Sequence, residues 1–226
     1  MSDPSKQESV IVLHGLGRSK FSMALLAAKL RKEFHVVNKN YPSRRHTIED
    51  LATLSIEPAL DLCKDAKKIH FVTHSLGGIL VRQYLRNHQL HKLGNTVMLG
   101  PPNKGSELVD FFQASPYLKG LFEQINGPAG QQLGTQASSM PNSLGPVDFP
   151  LGVIAGNKNR NPVFNALLPK PSDGKVSVES TKLAGMHEHL ELAVDHTWMM
   201  NHPSVIKATM AFLKYGTFTP TSQTKD

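Results

Sequence analysis

Short apolar runs alternate along almost the whole chain with stretches in which apolar residues recur every three or four positions. The run at 10–13 reads as a strand. Met23, Leu26, Ala27 and Leu30 then share one face of a helix that reaches Lys32, with Ser19 placed to cap it. His35–Asn38 is the next strand, closed by Tyr41-Pro42. Thr47 is the expected cap of a second helix, with Glu49 and Asp50 in its first turn, where the helix dipole favours negative charge. Leu51, Leu54, Leu60 and Leu62 carry its apolar face past Pro58, a candidate kink. Further strands fall at 69–73, 96–99, 151–155 and 189–194. Further helices run from Ser75 to Asn87, from Ser106-Glu107 onward, and over 204–213, where Ser204 is the expected cap.

Between 114 and 146 the pattern breaks down. Gly127-Pro128-Ala129-Gly130, Gly134, Pro141 and Gly145 interrupt apolar residues such as Tyr117, Leu121, Phe122 and Ile125. A loop packed on the sheet edge and an inserted lid over a binding pocket both remain open here. Nothing resembling a linker or repeat divides the chain, so a single domain spanning 1–226 is expected. Alternating strands and helices imply an α/β fold: a mostly parallel twisted sheet with helices on both faces. Such sheets bind ligands beyond the carboxyl ends of their strands. His14, Ser75, Pro101 and His196 all fall just past expected strand ends.

The most informative stretch is Phe71-Val72-Thr73-His74-Ser75-Leu76-Gly77-Gly78. A strand that turns abruptly into a helix pushes the side chain at the turn into the open, strains its backbone and needs small neighbours, which Gly77 supplies. Ser75 would then sit at a helix N-terminus, where free amides favour an alkoxide and a neighbouring oxyanion.

Composition narrows the classes. Of the 226 residues, 39% are hydrophobic and 19% charged, which suits a folded domain rather than a disordered chain. No apolar run is long enough to span a bilayer. Residues 1–9 lack the apolar centre of a secretory signal, and Cys63, the single cysteine, excludes an internal disulfide. Both suit a cytoplasmic protein, with Cys63 as a small buried residue. The net charge is +7, but the basic residues are scattered in pairs such as Arg18 with Lys20 and Arg44 with Arg45. That argues against nucleic acid as a partner. A solvated basic surface is the simpler account; weak association with an anionic membrane surface is the sharper one. Oligomeric state cannot be read from this pattern.

The segment around Ser75 resembles the nucleophile elbow of the α/β-hydrolase superfamily, with Thr73 where the first glycine usually stands. The likeness extends from Val10 to about Gly216 and is greatest to small bacterial lipase- and esterase-like serine hydrolases. It implies a serine, acid, histidine order. His196, just after the final strand, takes the place of the base, with His202 as the rival. Asp173, in Pro171-Ser172-Asp173-Gly174-Lys175-Val176, resembles the family's acid segment; Asp148, Glu179 and Asp195 are the other candidates. His14-Gly15-Leu16-Gly17 resembles the family's oxyanion loop and implies the backbone amides of Leu16 and Leu76 as donors. The residues 101–106 resemble a loop that shapes the pocket wall.

The expected reaction is hydrolysis of a small-molecule or lipid carboxylic ester through an acyl-enzyme on Ser75, with no cofactor. An acyltransferase or thioesterase would use the same residues, and a non-catalytic binding protein could share the fold. His187 and His189 flank Glu188, but with no third ligand in view they read as ordinary polar residues, not a metal site.

Overall fold

The structure is a computed structural model that describes residues 7–159 and 162–220. Six strands form one sheet: β1 (Glu8–Leu13), β2 (His35–Asn38), β3 (Lys68–His74), β4 (Leu93–Leu99), β5 (Leu151–Gly156) and β6 (Glu188–Leu192). Their order is β2-β1-β3-β4-β5-β6, and every neighbouring pair is parallel. The helices are α1 (Ala24–Leu30), α2 (Ile48–Leu60), α3 (Leu76–Asn87), α4 (Glu107–Ala114), α5 (Lys119–Gln131), α6 (Met140–Ser143), α7 (Pro162–Leu167), α8 (Val178–Thr181) and α9 (Pro203–Tyr215).

Strand periodicity decides which helix covers which face. Ile11, Leu13, Phe71, Met98 and Val153 point into a core with α2 and α3. Their neighbours Val10, Val12, Val72, Val97 and Ile154 point the other way, against α1 and α9. Both faces of the central strands are therefore buried, which is why they read as continuous apolar runs. After β1 the chain crosses to β2 at one edge, then returns to place β3 on the other side of β1. The carboxyl ends of β1 and β3 flank the resulting crevice, the usual site of ligand binding in open parallel sheets.

Several boundaries differ from the sequence expectation. The first helix opens with a 3₁₀ turn, Lys20–Met23, and the Ser19 side chain makes no capping bond. Thr47 does cap α2, accepting from the Asp50 amide at 3.3 Å, and that helix runs through Pro58. The final helix starts at Pro203, whose missing N–H suits a first helical position, so the cap is His202 rather than Ser204. The last strand is displaced to Glu188–Leu192, with Val194 already in the following loop. The largest correction concerns 114–146, which is mostly helical. Most of it is α5 and α6, and Gly127, at φ 65°, breaks α5 into two pieces.

Candidate active site

Ser75 joins β3 directly to α3. It is the only non-glycine among the described residues with positive φ, at φ 52°, ψ −120°. Its amide donates to the Leu99 carbonyl of the neighbouring strand at 2.9 Å, which holds the turn against β4. A side chain at Gly77 would meet the Leu13 Cβ and carbonyl at 3.0 Å, so the helix can pass this close only without one. Thr73 fits fully buried where the elbow usually carries glycine, and its hydroxyl finds no partner among the described residues. The Leu76 amide is the first of α3, one of those a helix leaves unbonded within itself.

His196 and Asp173 meet in a buried pair. Nδ1 of His196 donates to Oδ2 of Asp173 at 2.6 Å, and the two side chains are 4% and 1% exposed, so water barely weakens the contact. The other carboxylate oxygen accepts from the amides of Lys175 and Val176 at 2.9 and 2.8 Å. The backbone joins them too, His196 N to Asp173 O at 2.9 Å. With Nδ1 committed as donor, Nε2 is left as the basic nitrogen of the neutral ring. Gly100, directly after β4, lies against this pair. It has φ 53°, and a Cβ there would stand 3.0 Å from Asp173 Oδ2 and 3.1 Å from His196 Nδ1.

Two further histidines support the loops. His14 stacks on Tyr41 with ring centroids 4.1 Å apart and donates from Nδ1 to the Gly15 carbonyl at 2.9 Å. The Tyr41 hydroxyl donates to the His14 carbonyl, so the loop carrying Leu16 is held from both sides. His74, next to Ser75 in sequence, lies under the His196 ring at a centroid distance of 4.7 Å. Its Nε2 donates to the His196 carbonyl at 3.0 Å, which fixes the proton on that nitrogen and leaves the buried Nδ1 without a partner among the described residues. Burial, first, and then the nearby His196 hold His74 well below the usual histidine pKa.

Ser75, His74 and His196 line one cavity of about 260 Å³. Leu108, Val109 and Phe112 of α4, Phe122 of α5, and Leu133 supply an apolar wall. Phe112 stacks on Phe122 at 5.3 Å and ties the two helices together above the site. Leu16 lines the same space, as do Arg18 and Lys175. Behind the wall, buried Arg82 reaches from α3 to four carbonyl and amide oxygens: those of Asn103 (backbone and side chain), Pro141 and Gly145, at 2.9 to 3.3 Å. Desolvation lowers its pKa to about 10, and it stays charged near neutrality.

The structure thus brings Ser75, His196, Asp173, Leu16 and Leu76 to one edge of the sheet. The rival acids lie elsewhere or are engaged. Asp148 is exposed and lines a different cavity with Arg86 and Phe149. Glu179 pairs with Lys104 and Lys182, which pull its carboxyl down to about 2. Asp195 accepts the amides of Thr197 and Trp198, both at 3.1 Å. His202 serves as the α9 cap. His187 accepts the Leu151 amide and His189 bonds Thr181 Oγ1, and no cluster of three or more His, Cys, Asp or Glu that could hold a metal occurs among the described residues. Sequence reasoning missed His74, Gly100, Arg18 and Lys175. A histidine inside an otherwise apolar strand is the available signal for His74; Arg18 reads as scattered surface charge, and Lys175 only as part of the Asp173 segment.

The profile described as "Alpha/beta hydrolase family" matches residues 10–206. The chain belongs to that family. No curated protein matches this hydrolase in sequence. Among solved structures it resembles the mature form of a Bacillus licheniformis lipase, BlEst2, with a TM-score of 0.66 at 20% identity over 96% of this chain and 94% of that one. Metagenome-derived lipolytic enzymes, LipS and LipT, give a TM-score of 0.65 at 16% identity over 93% and 94%. Phospholipase PlaB from Legionella pneumophila gives 0.62 at 21% identity over 77% of this chain and 45% of that one. At such identities the likeness establishes the fold. The six-stranded parallel sheet flanked by helices is the α/β-hydrolase architecture.

Proposed function

We propose that this hydrolase is a serine esterase cleaving carboxylic esters of small molecules or lipids through an acyl-enzyme on Ser75. The observation that carries the reading is the buried His196–Asp173 pair lining, through His196, the same cavity as Ser75, the one serine with positive φ among the described residues. A hydroxyl is a poor nucleophile until a base takes its proton, and a base works best when a third group fixes its tautomer. Asp173 does that here.

The steps follow. Ser75 Oγ attacks the ester carbonyl carbon as His196 Nε2 accepts the hydroxyl proton. The carbonyl oxygen becomes an oxyanion, held by the amides of Leu16 and Leu76. Collapse breaks the ester C–O bond, and the leaving alkoxide takes the proton from His196. Water then attacks the acyl-enzyme with its proton going to His196, and collapse returns that proton to Ser75 and frees the carboxylic acid. The apolar wall of α4 and α5 suits the acyl chain, and these two helices with their connection act as the cover of the pocket.

A fluorophosphonate probe followed by peptide mass spectrometry tests the reading. Covalent label on Ser75, absent from Ser75→Ala and His196→Ala, is the expected result. Label elsewhere, or none on the folded protein, would refute it.

A further inference from the structure

In a reaction of this kind the histidine hands its proton to the departing alcohol, so the alcohol must lie on the His196 side of Ser75. The acyl chain then takes the apolar side formed by Leu108, Val109, Phe112, Phe122 and Leu133. What stands on the histidine side is therefore what recognises the alcohol. Two cations stand there. Arg18 Nη2 donates to the carbonyl of Thr197, the residue after His196, at 3.3 Å. Lys175 lies two residues beyond Asp173 and lines both the main cavity and the adjoining one bounded by His196, Thr197 and Trp198.

Neither cation forms an ion pair with a carboxylate among the described residues. The carboxylate that attracts Lys175 is Asp173, which is already bonded to His196. Lys175 is itself exposed, and so open to a ligand from solvent. Two like charges lining one cavity repel each other, and an anion between them would offset that repulsion. The two together match a phosphomonoester, which carries close to two negative charges near neutral pH. Arginine adds a planar fork suited to phosphate oxygens.

Resting on the esterase reading above, we propose that Arg18 and Lys175 form a phosphate subsite, and that the preferred substrates are esters of phosphorylated alcohols. The leaving group, an alcohol bearing a phosphate a few bonds from the ester oxygen, would depart past His196 with its phosphate held by both side chains. No bond to phosphorus is made or broken, so the chemistry remains ester hydrolysis.

The test compares 1-butanoylglycerol with 1-butanoylglycerol 3-phosphate, a pair that shares acyl chain and ester bond and stays monomeric in water. Butanoate release should give a kcat/KM at least about tenfold higher for the phosphate ester at low ionic strength, since charged hydrogen bonds of this kind are worth about a factor of ten or more. The preference should shrink as salt is added. Arg18→Gln and Lys175→Met should each lower the ratio of the two kcat/KM values, and the double variant should bring it close to unity. A structural defect would lower both turnovers and leave their ratio alone.

A second readout needs no turnover and no variant. Glycerol 3-phosphate should protect Ser75 from the fluorophosphonate at concentrations where glycerol and glycerate do not. Equal wild-type turnover of the two esters, or a preference that survives in the double variant, would overturn the subsite. Equal protection by glycerate would overturn its assignment to phosphate. Absence of label and of turnover on both esters would instead remove the esterase reading, and the subsite with it.

Discussion

Ser75→Gly should make the protein more stable while leaving it inactive. Ser75 is held at φ 52°, ψ −120°, a conformation that glycine enters without steric penalty. Holding a residue with a Cβ in a sparsely populated region costs about 1–3 kcal/mol. Glycine loses about 0.5–1 kcal/mol more chain entropy on folding than alanine, which offsets part of the relief. The proper reference is Ser75→Ala, which also lacks the hydroxyl but keeps the Cβ. Ser75 occupies the N-cap of α3 without a side-chain capping bond, so removal of the hydroxyl does not cost the helix a cap interaction. Glycine is also the better N-cap of the two, a difference with the same sign. The net advantage of Ser75→Gly over Ser75→Ala is then about 0.5–2 kcal/mol. For a chain of this length each kcal/mol corresponds to roughly 2–4 °C in Tm. Parallel thermal and urea melts of the two variants, followed by circular dichroism and by fluorescence to check that the transitions coincide, would measure it. If Ser75→Gly melts at or below Ser75→Ala, the elbow stores no strain and the reasoning fails.

Acid should destabilise the fold early. His14, His70 and His74 are buried, and burial is the leading reason that each has a pKa below the usual histidine value. The unfolded chain binds their protons below about pH 6.5, before the folded chain can. Their contribution is therefore complete above that pH and is lost as pH falls, by up to about 1.4 kcal/mol per pH unit for each group. Urea midpoints measured from pH 7.5 to 5 should fall, and a flat profile would contradict the assignment. Arg82→Met should cost about 3 kcal/mol in urea unfolding, because it strands the carbonyls of Asn103, Pro141 and Gly145, the first two buried; a loss below about 1 kcal/mol would mean that water replaces the guanidinium. Gly100→Ala should lower kcat by about tenfold or more and stability by about 1 kcal/mol, since the added methyl presses on both Asp173 and His196. Unchanged kinetics would show that the pair can yield.

The strands and the edge they point to were legible because both rest on local rules. Apolar runs buried on both faces mark β1, β3, β4 and β5, and the loops bearing His14, Ser75 and His196 begin where those or neighbouring strands end. The helices between 114 and 146 were not legible because their breaks answer to distant residues. Gly127 is packed directly on the Arg44 backbone, and the Ala129 amide donates to His46 at 3.2 Å. No window around Gly127 contains those partners. The cap of α9 was misplaced by two residues because a histidine is an uncommon cap, although proline at the next position marked the start. Arg18 and Lys175 could not be told from solvated charge, since they come together only when the loop after β1 meets the turn after Asp173.

Arg82 ties the loop after β4, whose Pro102 lines the pocket, to the stretch around Pro141 and Gly145, holding both by backbone oxygens apart from one bond to the Asn103 side chain. The grip depends little on which side chains those segments carry. Mutation can therefore exchange side chains of either stretch, Pro102 at the pocket among them, while the frame that seats them stays put. A lineage built on this chain could change what its pocket accepts without first having to rebuild the support behind it.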